Sequence, residues 1–162
     1  MKVLLVDDEK YTREGIMENI NWRELGVSIC AVCEDGQSAY NKAQTFIPDI
    51  LITDVRMPVM DGISLAQKIH EEFPYCKIIF MSGFSDKEYL FAAMRLKAVE
   101  YVEKPIRLEE LSEAISNAVC EVKKERELHN KYKVLDIVEP MLRSALVMLM
   151  IKPNADRASL ID

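Results

Sequence analysis

Ile50-Leu51-Ile52-Thr53-Asp54-Val55-Arg56-Met57-Pro58-Val59-Met60-Asp61-Gly62 is the stretch on which the reading of this chain turns. Ile50–Ile52 is a short, continuously apolar run, which suits a strand buried on both faces, as in a parallel sheet. Pro48 precedes it and Gly62 follows it as punctuation, and Leu65/Ile69 then recur at helical spacing. The unit is strand, loop, helix, with a carboxylate at the carboxyl end of the strand. Similar apolar runs occur at Val3–Val6, Ile78–Met81 and, more weakly, Val99–Val102, and the strand-like Val27–Cys33 makes five. Helical spacing returns at Ile16/Ile20, Ala39/Ala43/Phe46 and Leu108/Leu111/Ile115/Ala118/Val122. Gly26, Gly36, Pro74, Gly83 and Pro105 fall between elements. A helical segment after every strand implies an α/β fold, a doubly wound sandwich with right-handed crossovers.

Composition narrows the class. The chain has 162 residues, 49% apolar and 30% charged, enough for one domain of ordinary size and a short extension. That apolar fraction rules out a wholly disordered chain. The net charge of −6 makes it a poor candidate for binding nucleic acid by general electrostatics. No apolar run approaches the ~20 residues of a membrane span, and the first residues lack the long apolar core of a signal peptide. The expectation is a soluble, cytoplasmic protein with no membrane contact. Cys30 and Cys33 form a C-x-x-C, but no second pair or spaced histidines complete a zinc site. In a strand, residues three apart point to opposite faces. With Cys76 and Cys120 they read as small apolar filling, and His70 and His129 as isolated helix residues.

Residues 1–120 form the expected domain and 121–162 a helical linker. The last helix shows no stop near residue 120 and runs on through Val122-Lys123-Lys124-Glu125-Arg126-Glu127. Leucines then recur at 128, 135, 142 and 149, a spacing of seven. Two readings fit it: a coiled coil pairing two chains through residues 120–150, or a helix lying on its own domain. Pro140 should kink this helix or open a second one after Glu139, and residues 152–162 should fray. The linker holds eight basic and seven acidic residues, so the negative charge lies on residues 1–120.

Ligands of an open parallel sheet bind at the carboxyl ends of its strands. After the successive runs come Asp7-Asp8-Glu9, then Asp54, then Ser82-Gly83, then Lys104-Pro105. One sheet edge thus gathers carboxylates, a hydroxyl and a lysine. Clustered carboxylates repel and raise one another's pKa unless a cation is present. Mg²⁺, with Asp54 and one or both of Asp7 and Asp8 as ligands, resolves the repulsion. No histidine base, Ser–His pair or glycine-rich phosphate loop is present. Asp54 is instead placed to attack phosphorus and keep the phosphoryl group as an acyl phosphate. Mg²⁺ and Lys104 would neutralise the phosphoryl oxygens and Ser82 would donate a hydrogen bond to one of them.

The Asp7-Asp8 pair, Asp54 in Asp54-Val-Arg-Met-Pro-Val-Met-Asp-Gly62, Ser82-Gly83 and Lys104-Pro105 together resemble the receiver domain of a two-component response regulator. The resemblance covers about residues 1–120. It implies a flavodoxin-like, CheY-like five-stranded sheet of order 2-1-3-4-5 and a phosphoryl group arriving from a phosphohistidine of a sensor histidine kinase. It also implies that Asp7, Asp8, Asp54 and the Arg56 backbone carbonyl serve the metal, and that the Lys104–Pro105 bond is cis. Tyr101 matches the family's switch aromatic and would turn inward as Ser82 moves toward the phosphoryl group. Arg56 and Phe84 are not obvious water orienters, so self-dephosphorylation should be slow.

Rival readings exist. A phosphatase with an aspartyl-phosphate intermediate resembles D-x-D, but position 56 is Arg. A stand-alone receiver, or a pseudo-receiver that only binds other proteins, is the alternative function; a pseudo-receiver usually lacks the acceptor, an acidic residue or the lysine. Ile20-Asn21-Trp22-Arg23-Glu24-Leu25-Gly26 resembles the subgroup in which an AraC-type helix-turn-helix output domain follows the linker. The full-length protein would then regulate transcription on DNA, whereas this chain, with no recognition helix after residue 120, would not bind DNA itself.

Overall fold

The computed structural model describes residues 1–83 and 100–151, without the side chains of 134–137, 145 and 147–151. Five parallel strands, β1 (Lys2–Val6), β2 (Ser28–Cys33), β3 (Ile50–Asp54), β4 (Lys77–Ser82) and β5 (Glu100–Glu103), form one sheet of order β2-β1-β3-β4-β5. This is the flavodoxin-like, CheY-like receiver arrangement. The helices are α1 (Lys10–Asn19), α2 (Gly36–Phe46), α3 (Gly62–Glu72) and α4 (Leu108–Ile151). The helical segment expected between β4 and β5 and the frayed end at 152–162 lie outside the described residues.

The central strands are buried along most of their length because each of their faces meets a different layer. Val3, Leu5, Ile50, Ile52, Ile79 and Met81 pack with Ile16 of α1 and with Leu111, Ile115, Ala118 and Val122 of α4. The alternate residues Leu4, Val6, Leu51, Ile78 and Phe80 pack with Ala39 and Ala43 of α2 and Leu65, Ala66 and Ile69 of α3. The period of two along β1 therefore sends one apolar set to each face. Aspartates start two of the helices: Asp35 accepts from the Ser38 amide at 2.9 Å, and Asp61 from the Ser64 amide at 2.7 Å.

Two expectations are corrected. Ile29 is registered with Val3 but Ala31 with Leu4, so Cys30 is an extra, bulged residue. The bulge resets the alternation, and Cys30 and Cys33 both pack against the α2–α3 cluster instead of pointing to opposite faces. The second concerns one of the two outcomes expected at Pro140: a single helical element runs through it, so no new helix opens after Glu139. A proline removes one intrahelical hydrogen bond, and the strong helix formers around it carry the helix past.

The chain divides into two compact units, Met1–Glu125 and Arg126–Asp162. In the second, Leu128, Tyr132, Met141, Leu142 and Leu146 are exposed. Among the described residues, no helix is long and apolar enough to cross a membrane.

Candidate functional site

Register places the site. Val6 pairs with Thr53, Asp54 with Met81 and Ser82 with Glu103, so β1, β3, β4 and β5 end at one level. Asp7 lies one residue past β1, Asp54 and Ser82 close β3 and β4, and Lys104 follows β5. Lys104 is anchored by its backbone amide, which donates to the Ser82 carbonyl at 2.7 Å, and the Lys104–Pro105 bond is cis. Its ammonium donates to Asp54 Oδ2 at 2.6 Å and lies 3.0 Å from Asp7 Oδ2. Asp54 Oδ1 accepts from the Arg56 amide at 3.3 Å. Carboxylate oxygens of Asp7, Asp8 and Asp54 all lie within 4.8 Å of one another.

Asp7 is fully buried, Asp54 nearly so, and Asp8 is exposed. Burial raises the pKa of Asp7 above the usual carboxylate range, with Lys104 pulling the other way. Burial works against the charge on Lys104, yet its hydrogen bond to Asp54 and its ion pair with Asp7 outweigh that and hold the ammonium above its usual pKa. Asp7 Oδ2 is buried and, although the ammonium is near, has no aligned hydrogen bond. Three carboxylates whose oxygens lie within 4.8 Å of one another, an all-oxygen donor set, fit a hard divalent cation.

The sequence-predicted residues do not all meet. Asp7, Asp8, Asp54 and Lys104 come together, with the Arg56 backbone beside them. Ser82 is buried at the same sheet edge, and its hydroxyl donates to the Gly83 carbonyl at 3.2 Å. Tyr101 lies apart, half-buried on β5 against the α2–α3 cluster. Phe84 lies outside the described residues. All four cysteines are free thiols; burial pushes Cys30 and Cys33 up and Cys76 to about 12, so none of these three is primed for redox chemistry.

Two supports escaped the sequence reading. The Thr53 hydroxyl donates to the Asp54 carbonyl at 2.9 Å. Gly62 lets α3 approach the acceptor strand: a Cβ there would stand 1.9 Å from the Asp54 carbonyl oxygen. The Asp61 helix cap was the available signal for Gly62; nothing marked Thr53. Beside Lys104 a groove of about 550 Å³ opens between α1 and residues 105–108, lined by Tyr11, Thr12, Gly15, Ile16, Pro105 and Ile106 among others.

Residues 3–116 match the family described as the response regulator receiver domain. The uncharacterized transcriptional regulatory protein YesN of Bacillus subtilis strain 168 is 35% identical over 130 residues, 80% of this chain and 35% of YesN. The DNA-binding transcriptional regulator NtrC of Proteus hauseri is 30% identical over 146 residues, 90% of this chain and 30% of that protein. The crystal structure of a two component transcriptional regulator AraC from Clostridium phytofermentans ISDg is similar with a TM-score of 0.74 and 45% identity, over 78% of this chain and 98% of that one. The chain spans about a third of the length of these two curated relatives.

Proposed function

The chain belongs to the response regulator receiver domain family, and on that premise we propose that Asp54 accepts a phosphoryl group from a phosphohistidine of a partner sensor histidine kinase. The observation that carries the proposal is the Lys104 ammonium, 2.6 Å from Asp54 Oδ2 and 3.0 Å from Asp7 Oδ2 at the common strand ends. An acceptor carboxylate needs fixed positive charge where phosphoryl oxygens arrive. A surface that only binds proteins has no need of a buried, charge-compensated carboxylate pair.

Asp7, Asp8 and Asp54, with the Arg56 carbonyl, would hold Mg²⁺, which when bound would neutralise phosphoryl oxygens. An Asp54 carboxylate oxygen attacks phosphorus in line. The bond from phosphorus to the donor nitrogen breaks, its electron pair stays on the imidazole, and Asp54 carries an acyl phosphate. Lys104 exchanges its bond to Asp54 Oδ2 for one to a phosphoryl oxygen, and the Ser82 hydroxyl turns from Gly83 toward another. Tyr101 then turns inward, changing the surface at β5. Arg56 is exposed, and an arginine is not an obvious water orienter beside Asp54, so self-dephosphorylation is slow; a half-life of seconds counts against that.

The domain at 1–120 passes this change through the linker at 121–162 to a transcription-regulating output of the full-length protein. The AraC-type form of that output rests on residues 20–26 and on likeness to the Clostridium protein. The NtrC relative carries a different name, so the receiver alone does not select the output.

The test is intact mass after incubation with Mg²⁺ and a small acyl-phosphate donor. Wild type gains one phosphoryl group, while Asp54→Ala and chelator-treated wild type gain none. A folded wild type that gains none under these conditions contradicts self-catalysed acceptance.

A further inference from the structure

Asp7 is fixed at almost every polar atom. Its amide donates to the Cys33 carbonyl at 3.2 Å, which extends the β1–β2 ladder by one bond. Oδ1 accepts from the Glu9 amide at 2.8 Å, and Oδ2 faces Lys104. Its carbonyl lies beyond the end of β1, where no neighbouring strand supplies a partner. Arg13, half-buried in the second turn of α1, reaches back, and its Nη1 donates to that carbonyl at 2.5 Å. Arg13 is itself placed by its amide, which donates to Glu9 at 3.1 Å in the first turn.

From this geometry we infer that Arg13 is a positioning residue for the cation site: it sets the plane of the Asp7–Asp8 peptide and so the aim of both carboxylates. The inference rests on the metal reading above. The peptide unit is planar, so holding the Asp7 oxygen also fixes the Asp8 nitrogen and the start of Asp8. Asp8 is exposed and needs such a restraint more than buried Asp7 does. A guanidinium suits the task, because its charge is permanent and its fork is rigid, whereas a lysine offers only a flexible point charge. Because it binds a backbone carbonyl, Arg13 itself occupies no carboxylate oxygen of the site.

The test is a Mg²⁺ titration of the full chain followed by backbone amide NMR, with wild type, Arg13→Gln, Arg13→Lys and Asp7→Asn. Loss of a residue that orients metal ligands costs about 10- to 100-fold in affinity. Arg13→Gln is expected to bind Mg²⁺ at least about tenfold more weakly, and Arg13→Lys to fall between it and wild type. The Mg²⁺ concentration giving half the maximal phosphorylation rate rises in parallel, while the rate at saturating Mg²⁺ is largely kept. A merely structural arginine lowers the melting temperature but leaves the affinity of the folded protein unchanged. Affinity of Arg13→Gln within about twofold of wild type overturns the proposal. If Asp7→Asn also binds as wild type does, the metal reading itself has failed. If Asp7→Asn loses binding and Arg13→Gln does not, only the role of Arg13 has.

Discussion

Asp7 is the residue on which the electrostatics of the site depend. It is fully buried, and its Oδ2 meets an ammonium without an aligned hydrogen bond. Its folded pKa lies above its unfolded one, so the fold prefers Asp7 protonated. The metal-free protein therefore loses stability through this group as the pH rises past about 3.8. Lys104 works the other way: its pKa is raised, so its contribution is complete at neutral pH and is lost only as the pH rises through and beyond 10.5. Asp7→Asn should accordingly stabilise the metal-free protein at neutral pH by on the order of 1 kcal/mol, or about 4 °C in melting temperature. The gain should shrink in acid, and Mg²⁺ should no longer raise the melting temperature. Thermal melts across pH, with and without Mg²⁺, check this; a less stable Asp7→Asn in chelator at neutral pH contradicts it. The charged residues of the site were legible because strand ends in a parallel sheet converge, so position after an apolar run is a signal in itself. Thr53 and Arg13 were not, because each acts on a backbone carbonyl, which no side-chain pattern marks; Gly62 was visible only as punctuation beside the Asp61 cap, not as a support of Asp54.

At the scale of elements, strands and helices were readable wherever apolar spacing was regular. β3 was the clearest case: all of Ile50–Asp54 is buried. What escaped was backbone geometry. The bulge at Cys30 has no compositional sign, since Ile29-Cys30-Ala31 is apolar in either register. The β3–α3 loop holds Val59 at φ 68°, with the Met60 amide donating to the Pro58 carbonyl at 2.7 Å. A β-branched residue is a poor choice for that turn, so local propensity argues against what the loop adopts. The glycines give a paired prediction. Gly62→Ala would press a Cβ onto the Asp54 backbone, which cannot yield as a flexible side chain does. It should cost about 1–3 kcal/mol and slow phosphoryl acceptance by displacing Asp54. Gly15, inside α1, has nothing within 4 Å of an added Cβ, so Gly15→Ala should gain about 0.5–1 kcal/mol from helix propensity. Urea denaturation midpoints of both variants read this contrast, and equal shifts would sink it.

For the whole molecule, the units Met1–Glu125 and Arg126–Asp162 carry different surfaces. The first closes its core with Val119 and Val122 of α4, and Lys77 pairs with Glu125 at its end. In the second, Leu128 and Leu142 of the sevenfold leucine series are exposed. Exposed leucines at this spacing favour pairing of two chains through residues 120–150. Light scattering should then show a dimer at high concentration, with or without a phosphoryl mimic. Leu128→Lys combined with Leu142→Lys should be a monomer of unchanged helix content. A wild-type monomer under both conditions excludes pairing by this segment. On the proposed mechanism Asp54, and no other group, carries the phosphoryl bond. The most direct measurement is borohydride reduction of the phosphorylated chain followed by peptide mass mapping, because an aspartyl phosphate is reduced to homoserine. Homoserine is expected at position 54 alone; an adduct that resists reduction, or homoserine at another aspartate, contradicts acceptance by Asp54.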